Sequence, residues 1–366
     1  MAFKIYPFIM CGGAGTRLWP MSTRKQPKQF HNIVSNLSML QETAMRGEAV
    51  EAIDIAPPSF VCSSAHKDLV LSQCEAIGIK PHMVILEPMA KNTAAVAATI
   101  AIAMADEDPD GLILLLPADH YIGDVAAFWD YIQAGGQSAM AGSIVTFGIQ
   151  PTHPETGYGY IQAGPDEGNQ SRKIIEFVEK PDIETAQSYL KSGDYYWNAG
   201  IFLFMPSVVE EAFASYSVDI LEGVKKTVAE SKQDGNVLYL DAASFDKCRS
   251  ESFDYAIMEK APNISLVGPV DIGWNDIGSW RAVWEHERRM GGGAKSEGYS
   301  AETNSCQVNS SNILIRSSGT FVATVGVSNL AIICSDESVL VIDLESAQDV
   351  KKVVTQLKEA KVSHLI

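Results

Sequence analysis

The sequence predicts a doubly wound, Rossmann-like α/β fold with a mixed, mostly parallel sheet and a small β-helix-like domain at its C-terminal end. Three observations carry this. Apolar, β-rich runs ("KIYPFIM", "SFVCSS", "MVILEP", "GLILLLPAD") recur through the first half. Segments of helical period separate them, and near-continuous apolar strands with amphipathic crossovers imply a parallel sheet covered on both faces. From about Thr303 the texture changes to short β-rich pieces divided by Ser, Asn or Gly.

The elements follow in chain order. "KIYPFIM" is a first strand and runs straight into the glycine-rich "CGGAGTR". "QETAMRGEAVEA" reads as a helix, "SFVCSS" as a strand, and "KDLVLSQCEAIG" as a helix closed by Gly78. "MVILEP" leads into an alanine-rich helix from Asn92 to about Asp108, with Asn92 expected at its N-cap. The strand "GLILLLPAD" and a helix around "AAFWDYIQAGGQSA" complete the core. Further on, "RKIIEFVEKP" and "YWNAGIFLFMP" read as added strands, and one helix is expected from about Ser207 to Glu230. A break at "MGGGAKSEG" separates a catalytic domain (1–290) from the tail (300–366), whose last residues form an amphipathic helix. Ligands of open α/β sheets bind at the carboxyl ends of the strands, where both "CGGAGTR" and "PADH" fall.

Composition narrows the function. With 28 Lys and Arg against 45 Asp and Glu, the net charge of −17 and the lack of a basic block speak against nucleic acid or an anionic membrane as partner. The longest apolar helical run, Ala94 to Ala105, is too short to span a bilayer. Six cysteines form no CxxC pair and read as reduced, buried residues of a cytoplasmic protein.

The glycine loop matches neither common nucleotide fingerprint. A phosphate-binding loop of the GxxxxGK[ST] type needs a Gly-Lys pair that is missing, and Leu18 stands where GxGxxG requires its last glycine. What remains is a strand end, small residues whose amides admit an anion or base, and Arg17, whose fork suits phosphate oxygens. "QPKQF" adds Lys28 behind Pro27.

"GGAGTRLWPMSTRKQPKQF" resembles the signature of sugar-1-phosphate nucleotidylyltransferases, and closely that of bacterial mannose-1-phosphate guanylyltransferases. The similarity continues in family order through "EPMAKNTAAV", "LLLPADH", "PETGYGYI", "FVEKP", "WNAGIFLF" and "DIGWNDIGSW", over roughly residues 5 to 350. It implies the nucleotidyltransferase A-type fold and transfer of GMP from GTP to α-D-mannose 1-phosphate. Such chemistry asks for cations and position rather than an acid/base set, because the attacking phosphate is already ionised. The histidines are scattered accordingly and no GxSxG elbow occurs.

The resemblance places Gly12, Gly13, Gly15, Thr16, Asn92 and Asp119 on the nucleotide, with Arg17, Lys28 and Lys180 as the catalytic cations. Asp119 and Asp276 match the aspartates that bind Mg²⁺, an assignment for which Asp271 is the nearest competitor. Gly159, Glu179 and Asn198 fall on the sugar, Asn198 because an amide both donates and accepts; Trp197 reads as core. Lys91 and Ala95 depart from the usual "RNTAP", so Lys91 keeps the charge without the bidentate fork. A homodimer is possible, and with no HxH pattern isomerase activity is not expected. The alternatives are another sugar 1-phosphate and nucleotide pair, or a silent sugar-nucleotide-binding subunit that would have lost the loop cations or carboxylates.

Overall fold

The computed structural model describes residues 3–13, 15–49, 53–168, 171–291, 298–301 and 303–366. The glycine-rich break falls largely at 292–297, and the end of the expected first helix at 50–52; both lie outside the described residues. The chain divides into two compact units. One contains residues 1–12, 43–118 and 122–274, the other residues 13–42, 119–121 and 275–366.

The first unit is built on a twelve-stranded sheet. Its strands are β1 (Lys4–Met10), β2 (Asp54–Ile55), β3 (Ser59–Ser63), β4 (Val84–Glu87), β5 (Leu112–Pro117) and β6 (Ile144–Ile149). They continue with β7 (Tyr160–Gly168), β8 (Ser171–Val178), β9 (Tyr195–Phe204), β10 (Lys232–Asp234), β11 (Val237–Tyr239) and β12 (Ile264–Val270). The order β4-β3-β1-β5 is parallel throughout, as apolar runs such as "LILLLP" require. Antiparallel pairings enter with β9, inserted between β5 and β6, and with the β7–β8 hairpin.

Helices α1 (Met39–Met45), α2 (Lys67–Ala76), α3 (Asn92–Glu107) and α4 (Val125–Met140) are followed by α5 (Ile183–Ser192) and α6 (Pro206–Tyr216). After these come α7 (Val218–Glu230), α8 (Ala242–Phe245), α9 (Trp280–Arg289) and α10 (Val350–Glu359). Two apolar clusters cover the first unit's sheet. Alanines 94, 95, 97, 98 and 101 let α3 pack closely on Phe8, Ile113 and Leu115, while Trp129 and Ile132 of α4 join Ile5, Leu114 and Leu203. The single helix expected from Ser207 is two, α6 and α7. Ser217 breaks it with an extended φ of −153° and hydrogen-bonds through its hydroxyl to the Ala256 carbonyl at 3.1 Å.

In the second unit, β13 (Gly298–Ser300), β14 (Ser305–Val308), β15 (Ser311–Ser317), β16 (Val322–Val325), β17 (Ser328–Cys334) and β18 (Val339–Asp343) form two three-stranded sheets. β14 pairs with β16 and β15 with β17, both parallel, so the chain climbs one rung and repeats. Asn312 and Asn329, 17 residues apart, both turn the corner left-handed and hydrogen-bond through their amides at 3.0 Å. Asparagine tolerates that backbone region better than most residues do. This unit's core joins Leu18, Trp19 and Ile33 to Trp280, Leu314, Ile333, Leu340 and Val350.

Candidate active site

Of the residues expected on the nucleotide, Gly13, Gly15, Thr16 and Asp119 fall in the second unit with Arg17 and Lys28, whereas Gly12 and Asn92 belong to the first. Gly15 is left-handed (φ 54°) and caps a short 3-10 helix, Thr16–Leu18. A Cβ on it would fall 2.5 Å from the Lys28 Cβ, so only glycine lets the loop and the Lys28 segment approach this closely. Gly12 and Gly13 are exposed, with open space where a Cβ would stand. Lys28 lies in a second 3-10 turn, Lys28–Phe30, behind the extended Pro27.

Lys28 is 4% exposed, and its ammonium donates to Asp119 Oδ2 at 3.0 Å and to the backbone carbonyl of Asp276. A buried ammonium needs such partners. Burial alone would raise the Asp119 carboxyl, but Lys28 and His120 outweigh it and hold it below the usual range. An antiparallel bridge between Tyr121 and Asn275 (N···O 2.8 and 3.1 Å) sets Asp119 and Asp276 near one another although they are far apart in sequence. Asp276 Oδ1 accepts the Gly278 amide at 3.0 Å. Between them Ile277, fully buried, adopts φ 46°, a costly backbone for a β-branched residue. Gly15, Arg17, Lys28, Asp119, His120 and Asp276 line one cavity of about 170 Å³. Arg17 is half-buried, and its Nη1 donates to Gln348 Oε1 at 3.3 Å.

Among the described residues no group of three or more His, Cys, Asp or Glu side chains is arranged to hold a metal ion. Two carboxylates in one cavity suit Mg²⁺, which takes few protein ligands and completes its shell with phosphate and water. Asp271, the nearest competitor, is exposed and does not line that cavity.

The residues expected on the sugar and its phosphate, Gly159, Glu179, Lys180 and Asn198, all fall in the first unit. Lys180 ends β8's extension with φ 48°, and its ammonium donates to Glu179 Oε1 at 2.5 Å. Burial opposes its charge, but the Glu179 bond holds Lys180 above its ordinary range. A Cβ on Gly159 would stand 2.6 Å from Glu179 Oε2, so the bare backbone there leaves that carboxylate its place. The Gly159 carbonyl accepts the Asn198 amide at 2.8 Å.

The Asn198 side chain is engaged within the protein at both ends. Its Oδ1 accepts from Gly200 N (3.1 Å) and lies 3.0 Å from the Thr146 hydroxyl, while its Nδ2 donates to Asp254 Oδ1 at 3.0 Å. Asp254 heads a π-helical turn, Asp254–Met258, and was not singled out in the sequence. Burial, with Glu179 beside it, pushes its carboxyl up to about 7. Trp197 is core, as expected, and packs edge-on to His153 and Tyr158.

Asn92 is displaced from its expected place. Lys91 holds the cap position of α3, and Asn92 follows with φ 65°, its Oδ1 accepting the Thr93 amide at 2.9 Å. The Ala94 amide is taken by the Glu251 carbonyl at 3.1 Å, so this helix end is less open to an anion than the sequence implied. Lys91 donates to the Asp246 carbonyl at 2.5 Å.

A nucleotidyl transferase family profile matches residues 6–291, and one for a mannose-phosphate isomerase/GMP-like β-helix domain matches 303–357. The mannose-1-phosphate guanylyltransferase of Escherichia coli K12 is 39% identical over 366 residues, covering 97% of this chain and 74% of its own length. The chain belongs to the mannose-1-phosphate guanylyltransferase family of nucleotidyl transferases. The xanthan biosynthesis protein XanB of Xanthomonas campestris is 40% identical with the same coverage. Among solved structures, one described as a mannose-1-phosphate geranyltransferase from Thermus thermophilus aligns over 97% of this chain and 100% of its own, with TM-score 0.83 and 29% identity. For this family the glycine loop, the Asp119 strand end and the "FVEKP" segment all fall within the matched transferase region.

Proposed function

We infer that this chain transfers GMP from GTP to α-D-mannose 1-phosphate, giving GDP-mannose and pyrophosphate. One observation carries the reading beyond kinship. Arg17, Lys28, Asp119 and Asp276, drawn from distant parts of the sequence, converge on one cavity beside a glycine loop. The reaction brings two polyanions together, so the protein's task is placement and charge.

In the proposed mechanism a phosphate oxygen of the sugar phosphate attacks the α-phosphorus in line. The bond from that phosphorus to the bridging oxygen breaks, and pyrophosphate leaves with the electron pair. Arg17 and Lys28 stabilise the charge that gathers on the leaving phosphates, and Lys180 holds the attacking phosphate. Glu179 accepts from the sugar's hydroxyls. Asp119 and Asp276 would hold Mg²⁺, which when bound offsets phosphate charge and orients the oxygens. The enzyme is proposed to work in the cytoplasm. No described helix is long and apolar enough to cross a membrane. The exposed valines 308, 325, 339 and 341 make a homodimer worth testing by light scattering.

The decisive assay is pyrophosphate release across four nucleoside triphosphates and several sugar 1-phosphates. Turnover is expected with GTP and mannose 1-phosphate and is lost on chelating divalent metal. Turnover confined to UTP or dTTP with glucose 1-phosphate would overturn the assignment. Asp119→Ala should lower kcat by about 10³-fold or more while the protein stays folded by circular dichroism.

A further inference from the structure

We propose that Asp254 contacts the sugar and helps determine specificity, its second carboxyl oxygen binding a ring hydroxyl next to the one held by Glu179. The inference rests on the functional reading above and adds a residue to the sugar side.

The argument begins with Asn198. The Gly200 amide fixes which end of its side chain is oxygen, and Thr146 occupies the other lone-pair direction. Asn198 Oδ1 thus already accepts from the Gly200 amide and shares the Thr146 hydroxyl with the Ile201 carbonyl, and one of its two N–H groups is spent on Asp254 Oδ1. A second carboxylate beside Glu179 is supplied by the partner of that N–H, Asp254. Asp254 makes no other side-chain hydrogen bond among the described residues, which leaves Oδ2 without a side-chain partner.

Its neighbours place it with the sugar group. Asn198 is tied to Gly159 through the backbone, and Gly159 lies against Glu179 Oε2. The π-helical turn that presents Asp254 is a rare conformation, concentrated at functional sites and costly without a compensating use. With its carboxyl raised to about 7, Asp254 can donate a hydrogen bond to a hydroxyl oxygen in its protonated form and accept one in its ionised form. Beside the Lys180-paired Glu179, this makes a donor and an acceptor for adjacent hydroxyls of a hexose phosphate.

Steady-state pyrophosphate release should be measured for wild type, Asp254→Ala and Asp254→Asn. Mannose 1-phosphate and its monodeoxy analogues are varied at saturating GTP, and GTP at saturating sugar phosphate. Asp254→Ala is expected to raise KM for the sugar phosphate about tenfold or more, with KM for GTP within twofold. That penalty should disappear for the one deoxy analogue lacking the contacted hydroxyl. Asp254→Asn should recover part of the loss. A penalty equal on every analogue, or an unchanged KM, overturns the proposal. If Asp254→Ala does not fold, the same comparison on Asp254→Asn decides. Should wild type reject mannose 1-phosphate but use another sugar 1-phosphate, the function assignment fails, and that sugar's deoxy series tests Asp254 separately.

Discussion

Lys180 and Ile277 both hold left-handed backbones; Lys180 is itself proposed to hold the attacking phosphate, and Ile277 follows the proposed metal ligand Asp276. Such conformations cost of order 1–3 kcal/mol apiece and persist where surrounding structure over-determines them. Ile277 is held by complete burial in the second unit's apolar cluster and by its own amide, which donates to Asn275 Oδ1 at 2.7 Å. The ion pair beside it is equally constrained. Lys28→Met would take from Asp119 its nearer cation and leave only His120, so its carboxyl range should move upward. We expect kcat to fall about 10²-fold or more, with a lowered Tm; full activity would make the pair merely structural. Glu87 offers a test of a different kind. Burial raises its carboxyl to about 7, above its ordinary 4.5. Between those values the unfolded chain has released a proton that the folded one retains, so this group's contribution falls as pH rises. Glu87→Gln should therefore melt higher than wild type at pH 8, with the gap closing by pH 5; a gap independent of pH would refute it.

Among elements, α9 shows how local chemistry positions the site. Ser279 caps it, its hydroxyl accepting the Ala282 amide at 3.2 Å three residues after Asp276. Ser279→Ala should cost about 1 kcal/mol, seen as a lower denaturation midpoint. Gly159→Ala, just before β7, should raise KM for the sugar phosphate by forcing Glu179 aside; an unchanged KM would remove Glu179 from the sugar. The parallel half of the sheet was legible because "KIYPFIM", "SFVCSS" and "GLILLLPAD" are buried on both faces and read as unbroken apolar runs. The break at Ser217 was not, since a serine inside a helical pattern carries no sign of the carbonyl that captures it. Asp254 was missed for a similar reason. Nothing in "SFDYAIMEK" encodes a π-helical turn, and the carboxyl gains meaning only beside Asn198 and Glu179. One signal was readable and overlooked: "VNSSNILIRS" and "VGVSNLAIIC" repeat at the spacing of the β-helix rungs.

At the scale of the molecule, the compact units do not follow the division of the sequence at 290 and 300. The segment carrying Gly15, Arg17 and Lys28 belongs with the C-terminal strands, because Leu18, Trp19 and Ile33 share one apolar cluster with Leu314, Ile333, Leu340 and Val350. The β-helix rungs therefore form part of the support of the nucleotide loop. The connection reaches the last residues. Trp19, 6% exposed, donates its indole N–H to the Leu365 carbonyl at 2.7 Å, and the Trp280 indole donates to the Trp19 carbonyl at 3.0 Å. Removing residues 363–366 takes away the acceptor of a buried donor, which costs about 1–3 kcal/mol. Arg17 lies two residues from that tryptophan, so the loss should fall on the nucleotide. The truncated chain is expected to show a severalfold higher KM for GTP and an unchanged KM for the sugar phosphate, measured by pyrophosphate release. Equal KM values for both substrates in truncated and full chains would mean that the tail contributes nothing to the loop, and a rise confined to the sugar phosphate would place its influence in the other unit.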